Sequence, residues 1–294
     1  MPPLREVIRR AGLAPDKRLG QHFLLDPAIL RRIALAAGPL EGATVLEVGP
    51  GPGGLTRALL EAGAARLVAV ERDPRCIAAL GDLAAAAGGR LELVEADALG
   101  FPIEGLAPPG ALAIVANLPY NIATELLIGW LRRADAIARM VLLFQREVAL
   151  RLAAEPGRAA YGRLSVLAQL VCRVERLFDL EPGAFLPPPK VRSSLVRLVP
   201  RPDRPRAELL ARVERLTAAA FGRRRQMLRR SLAPLWPDPQ RVLEALGVPP
   251  TARAEELAPE TFRRLAELLP EDADQPSVAP AAARNCCTNS ERKG

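Results

Sequence analysis

The sequence predicts an α/β protein, a parallel sheet with helices on both faces, followed by a small all-helical C-terminal domain. Three observations carry this. Short apolar runs of strand length alternate with stretches of helical period as far as residue 144. The first strand-like run ends in a glycine-rich turn that opens a helix. Beyond a proline-rich stretch at 200–205, every periodic stretch is helical.

Taken in order, residues 4–11 and 27–37 read as short helices around a polar connector. Residues 44–48 form a buried strand, and 55–61 the helix after it. Strand 66–70 leads to helix 74–86, strand 91–94 follows, and strand 111–116 leads to helix 124–132. Residues 140–144 make a fifth strand. Two later strands, 172–178 and 194–198, are separated by a proline-rich loop, 182–189, too long for a tight hairpin. After the linker, helices are expected over 206–221, 224–233, 239–246 and 259–269. From Pro270 the chain is polar, rich in Pro and Ala and without period, as expected of a disordered tail. The expected division is a cofactor domain with an N-terminal helical segment at 1–200, a helical domain at 201–269, and a tail at 270–294.

Composition narrows the function. Aromatic residues are only 4% of the 294, so the core must be Leu, Val, Ile and Ala. No apolar run reaches the ~18 residues of a membrane span, and the first ten residues lack a signal-peptide core. A soluble cytoplasmic protein is expected. Cys76 and Cys172 stand alone in periodic segments, while Cys286 and Cys287 adjoin in the tail. No Cys/His spacing suggests a metal, and none is expected. His22 is the sole histidine, which excludes a His-based triad. The formal charge is +8, and outside the tail 38 basic groups face 29 acidic ones. That excess suits a polyanionic partner such as nucleic acid, and equally an ordinary basic protein.

The segment Glu47-Val48-Gly49-Pro50-Gly51-Pro52-Gly53-Gly54 follows a strand and opens a helix. Glycines there let the backbone approach a ligand, and the helix start offers unpaired N–H groups. Gly49, Gly51 and Gly54 satisfy the dinucleotide spacing, which suits NAD or S-adenosylmethionine alike. Glu71 ends the next strand, where an acid accepts hydrogen bonds from ribose hydroxyls. Asp97 follows the third strand. It is placed to accept from an adenine amino group, or to cap a turn.

At the end of the fourth strand stand Asn117, Leu118, Pro119 and Tyr120. They resemble the Asn/Asp-Pro-Pro-aromatic signature of methyltransferases acting on exocyclic amino groups. The lone pair of adenine N6 is delocalised, so acceptors aimed at its N–H bonds favour a more pyramidal, nucleophilic nitrogen. The Asn117 oxygen and a main-chain carbonyl near Leu118 suit that task. Pro119 stiffens the backbone without adding a donor, and Tyr120 suits stacking on an unstacked base. Read alone, the four residues also suit a strand-terminating turn, the weaker of the two readings.

Five ordered motifs together resemble one family. They are Leu19-Gly20-Gln21-His22-Phe23-Leu24, residues 45–56, Asn117 to Asn121, Phe185 to Val191, and Ala220 to Leu228. The chain over about 1–269 is similar to bacterial small-subunit (16S) ribosomal RNA adenine N6,N6-dimethyltransferases, the kasugamycin-sensitivity family. The resemblance implies a Rossmann-like class I methyltransferase fold and S-adenosyl-L-methionine as cofactor. It implies cofactor contacts at His22, Leu24, Gly49, Gly51, Glu71, Asp97 and Asn117. Asn117 would also face the target amino group, with Tyr120 and Phe185 sandwiching the adenine. Phe185 is alternatively a buried anchor of its loop. The implied substrate is two adjacent adenosines in the 3′-terminal hairpin loop of small-subunit RNA within an immature 30S particle. Arg192 departs from the family, which often carries an acid there.

Arg223, Arg224, Arg225, Arg229 and Arg230 are candidates for phosphate contacts, or simply a solvated helix face. Lys17, Arg18, Lys190 and Arg192 are candidates to extend the basic surface around the active site. A monomer is expected, since no heptad pattern is present. The alternatives are a large-subunit adenine methyltransferase of the macrolide-resistance type and a non-catalytic ribosome-assembly factor. A more distant one is an NAD-dependent dehydrogenase, which leaves the Asn117 turn unexplained.

Overall fold

A computed structural model describes residues 2–15, 20–223 and 225–270. Helix α1 (Leu4–Arg10), strand β1 (Phe23–Leu24) and helix α2 (Pro27–Ala36) precede the main sheet. Then come β2 (Thr44–Val48), α3 (Gly54–Glu61), β3 (Arg66–Glu71), α4 (Pro74–Ala86), β4 (Leu91–Glu95) and β5 (Leu112–Asn117). They are followed by α5 (Ala123–Arg132), β6 (Ile137–Gln145), α6 (Arg146–Leu152), α7 (Arg163–Val171), β7 (Cys172–Leu180), β8 (Phe185–Leu186) and β9 (Ser193–Pro200). The last four helices are α8 (Ala207–Gly222), α9 (Leu228–Ser231), α10 (Pro239–Ala245) and α11 (Pro259–Glu267).

The main sheet has seven strands in the order β4-β3-β2-β5-β6-β9-β7. β2 to β6 are parallel, as expected from the alternation. β9 runs antiparallel to both β6 and β7, so the sheet is mixed. β7 and β9 are thus direct neighbours, although twelve residues separate them. Part of that connection forms β8, which pairs with β1 in a second, two-stranded sheet.

The central strands β2, β3, β5 and β6 are largely apolar because both faces are covered. Leu46, Val48, Val68, Val70, Ile114, Ala116, Leu142 and Phe144 lie in one core cluster. Their neighbours Val45, Leu67, Ala69, Ala113, Val115, Val141 and Leu143 lie in the other. This is the period of two expected of a strand. Helices α2, α3 and α4 cover the second face through Ile33, Leu59 and Leu80. Helices α5 and α7 cover the first through Leu127 and Leu167. Three helices start on the same Asp-Pro signal. Asp26, Asp73 and Asp238 each accept a backbone N–H of the first turn, and the proline fills the first helical position.

The C-terminal helices share the first core rather than forming one of their own. Leu216 and Ala220 of α8 and Phe262 and Ala266 of α11 join the cluster that holds α7. The proline-rich connection is pinned down. The Arg201 N–H donates to the Val171 carbonyl at 2.8 Å, and Arg204 pairs with Asp135. Tyr161, fully buried, donates its hydroxyl to the Leu257 carbonyl at 2.8 Å. Gly157 N–H reaches the Glu255 carbonyl at 2.7 Å.

One expected helix is shorter than its sequence suggests. Of the described residues 225–233 only Leu228–Ser231 is helical, because Met227 pairs with Arg253 in a β-bridge and Leu228 N–H donates to the Ala252 carbonyl. Arg225 therefore lies outside the helix that carries Arg229, and helical spacing does not relate them.

Tyr161→Phe should lower stability by about 1–3 kcal/mol, since it removes a donor from a buried carbonyl. Urea unfolding checks this. An unchanged midpoint would mean the bond does not hold the C-terminal helices to the sheet.

Candidate active site

One cavity opens at the carboxyl ends of β2, β3, β4 and β5, and residues 20–24 supply a further wall. It is lined by every residue expected to contact the cofactor: His22, Leu24, Gly49, Gly51, Glu71, Asp97 and Asn117. Leu118 and Pro119 line it too.

The glycine turn after β2 is shaped by close approach. Gly49 and Gly51 have φ of +69° and +52°, the left-handed region. A Cβ on Gly49 would lie 3.6 Å from Pro119, and one on Gly51 only 3.0 Å from the Phe23 ring. Glu71 secures this turn. Its Oε2 accepts the Gly51 N–H at 3.1 Å, and its Oε1 accepts those of Arg72 (2.8 Å) and Asp73 (2.9 Å). Burial pushes the Glu71 carboxyl up, and these three N–H groups oppose the shift.

Asp97 caps a turn and also faces the cavity. Its Oδ1 accepts the Leu99 N–H at 3.0 Å as a turn cap, while the residue lines the cavity. Its Oδ2 lies 3.4 Å from Arg72, which lines the same cavity.

Two consecutive residues stitch the N-terminal segment to the strand ends. Gln21 Nε2 donates to Asp73 at 3.3 Å. The His22 carbonyl accepts from Asn117 Nδ2 at 2.8 Å. A carbonyl only accepts, so this bond sets the Asn117 amide and leaves Oδ1 as its acceptor. By the same logic His22 Nδ1, 2.8 Å from the Pro187 carbonyl, carries the ring proton. The His22 ring stacks on Tyr120, with centroids 5.2 Å apart and planes at 27°. The Tyr120 hydroxyl is 2.5 Å from Ser193 Oγ.

Two places were open to Phe185, a base platform or a buried anchor of its loop. It is 4% exposed, sits in the core cluster behind the sheet, and does not line the cavity. The register pairs it with Leu24, which draws the ring inward as an anchor of the β1–β8 ladder. Tyr120 likewise does not line the cavity, and the burial of Phe185 suits the reading of it as a buried anchor of its loop. Lys190 is exposed, and Arg192 pairs with Glu181 at 2.9 Å. Arg223, Arg225, Arg229 and Arg230 are exposed. Lys17, Arg18 and Arg224 lie outside the described residues, as does the tail from 271.

One site residue was not singled out from the sequence. Glu47, at the end of β2, is 1% exposed and lines the cavity. Its Oε2 has no hydrogen-bond partner among the described residues. Burial pushes its carboxyl up to about 8, and the neighbouring Glu71 charge adds to this. The signal was an acid at the end of a buried strand, directly before the glycines.

Similarity to known proteins identifies the family. The model of the ribosomal RNA adenine dimethylase family matches residues 14–271. This chain belongs to that family. A Xanthobacter autotrophicus protein, ribosomal RNA small subunit methyltransferase A, is 53% identical over 286 residues, 96% of this chain and 98% of that one. Its Rhodospirillum rubrum counterpart is also 53% identical, over 92% of this chain and 93% of that one. Among solved structures, a dimethyladenosine transferase from Plasmodium falciparum aligns with a TM-score of 0.72 at 27% identity, over 83% of this chain and 96% of that one. The 23S rRNA methyltransferase ErmE aligns at 0.65 and 30%, over 84% and 99%.

The chain is thus an S-adenosylmethionine-dependent enzyme that methylates adenine in ribosomal RNA. Its residues fit that cofactor. Glu71 and Asp97 are acceptors at adjacent strand ends, suited to ribose hydroxyls and an adenine amino group. The Glu47 carboxyl, with Oε2 left without a partner among the described residues, suits a cationic group, and the glycine turn leaves the space that a side chain would fill. When bound, the cofactor supplies an electrophilic methyl on a sulfonium that is a good leaving group.

Glu47 makes a pH dependence testable. The folded protein keeps its proton up to about pH 8, whereas the unfolded carboxyl releases it near 4.5. Folding therefore takes up a proton between these limits, and stability falls as pH rises through the window. Glu47→Gln mimics the protonated form. Without cofactor, its Tm should exceed that of the parent at about pH 8.5, with the gap closing toward about pH 5. A gap independent of pH would contradict the shifted carboxyl.

Proposed function

We propose that this chain dimethylates N6 of two adjacent adenosines in the hairpin loop near the 3′ end of small-subunit (16S) ribosomal RNA. It would act on an immature 30S particle, as a monomer, in the cytoplasm. The observation that carries this reading is the Asn117 amide, held by the His22 carbonyl so that Oδ1 is left as an acceptor beside the cofactor cavity. An exocyclic amino group offers two N–H bonds. Asn117 Oδ1 would take one, and a main-chain carbonyl near Leu118 the other. Catalysis then rests on positioning and on charge stabilisation, since the proton becomes acidic as nitrogen bonds to carbon. Tyr120 would offer its ring to the extruded base.

The small-subunit assignment is supported by relatives of that name at 53% identity over nearly their full length, against 30% for the large-subunit enzyme ErmE. A non-catalytic assembly factor is disfavoured, because Glu71, Asp97 and Asn117 all line one cavity.

The test is transfer of tritiated methyl from S-adenosylmethionine to unmethylated small subunits, with large subunits alongside. The expected product is N6,N6-dimethyladenosine at both adenosines, with Asn117→Ala at least about 100-fold slower. Transfer only to large subunits would reassign the substrate. Cofactor binding without transfer would favour the assembly factor.

A further inference from the structure

At the end of the sheet that carries the active-site turn, on the face opposite the Ser193 hydroxyl, lies a cluster of charge that methyl transfer does not use. Ser193, hydrogen-bonded to Tyr120, is in register with Gln145 at the end of β6 and Leu180 at the end of β7. One step along, Ser194 lies opposite Asp179, and its hydroxyl donates to Asp179 Oδ1 at 2.6 Å. Two guanidinium groups meet the same carboxylate. Arg176 Nη1 lies 2.6 Å from Oδ1, and Arg146 Nε lies 3.2 Å from Oδ2.

A β-bulge makes this cluster possible. In a regular strand, residues three apart point to opposite faces. In β7 the register jumps between Arg176 and Phe178, so Leu177 has no partner on β9. Arg176 is then opposite Val196 and Asp179 opposite Ser194, two β9 residues of the same face. The extra residue thus brings Arg176 onto the side of Asp179, as bulges beside functional sites do. Val196 belongs to the core shared with α7, α8 and α11, so the cluster is on the helical-domain face of the sheet.

The charges do not balance. Two arginines share one acid, and among the described residues neither pairs with another. Nearby acids are engaged elsewhere: Glu175 with Arg197, Glu147 with Arg151, and Glu181 with Arg192. Arg146 and Arg176 side chains are 44% and 36% exposed. A guanidinium has five donors, and each of these makes one hydrogen bond from its side chain to the carboxylate.

The geometry points to a phosphodiester subsite, in which Arg146 and Arg176 bind a backbone phosphate of the RNA strand whose base enters beside Tyr120. This rests on the RNA substrate proposed above. Asp179 holds the two cations together before RNA arrives and competes with the phosphate for them.

Binding to unmethylated small subunits, read separately from methyl transfer, tests it. The double variant Arg146→Gln/Arg176→Gln should bind about tenfold or more weakly, with a salt dependence of log Kd flatter by about 1. Its kcat at saturation and its cofactor affinity should stay near those of the parent. Asp179→Asn should shift the other way and tighten binding several-fold, which a merely structural ion pair would not do. Arg146→Lys/Arg176→Lys keeps both charges and should keep the salt slope, which guards against a double Gln variant that folds poorly. Unchanged affinity and slope in the double Gln variant would overturn the subsite, as would weakened binding in Asp179→Asn. A parent protein that binds small subunits with this slope yet transfers no methyl would refute the enzymatic reading and leave the subsite standing.

Discussion

The hydrogen bond from the Asn117 amide to the His22 main-chain carbonyl determines what the rest of the site can do. An amide side chain has a donor end and an acceptor end, and either could face a ligand. The carbonyl removes that freedom, because it accepts and never donates. Much of the surrounding structure keeps His22 in place. Its ring is tied to Pro187 and stacked on Tyr120, Gln21 is tied to Asp73, and Phe23-Leu24 is laced into the β1–β8 ladder. A segment far from β5 in sequence thereby holds the amide at the end of β5 in one orientation.

Charge is divided between inside and outside. The cavity gathers Glu47, Glu71 and Asp97, with Asp73 close behind, in a protein whose net charge is +8. That acidic interior suits a cationic cofactor, while the basic exterior suits a polyanion. Keeping Glu47 buried without a hydrogen-bond partner for Oε2 raises its proton affinity. A cation bound near it would oppose that shift.

How much was legible in the sequence varied with the kind of signal. The β2 and α4 boundaries matched because strong local signals mark them: glycines after Val48 and an Asp-Pro start at Pro74. Helix α7 left no such mark. It is apolar nearly all round because it lies between the sheet and the C-terminal helices, and it passes into β7 at Cys172 without a breaker. β1 and β8 are two residues each, and their pairing joins positions about 160 residues apart, which no local pattern encodes. The cavity residues were readable because glycines and acids at strand ends have few structural uses. Phe185 was not, since an aromatic ring reads alike whether it packs in a core or meets a base. The arginines at 146 and 176 were hidden for another reason: only the β7 bulge brings the second to Asp179.

The most direct measurement is the single-turnover methyl-transfer rate of Asn117→Asp, with cofactor and small subunits saturating. Aspartate keeps two acceptor oxygens but loses the donor that His22 requires. The account predicts a rate at least about 100-fold below that of the parent, with the adenosine still bound. A rate close to that of the parent would show that the His22 bond does not set the acceptor, and the central claim would fall.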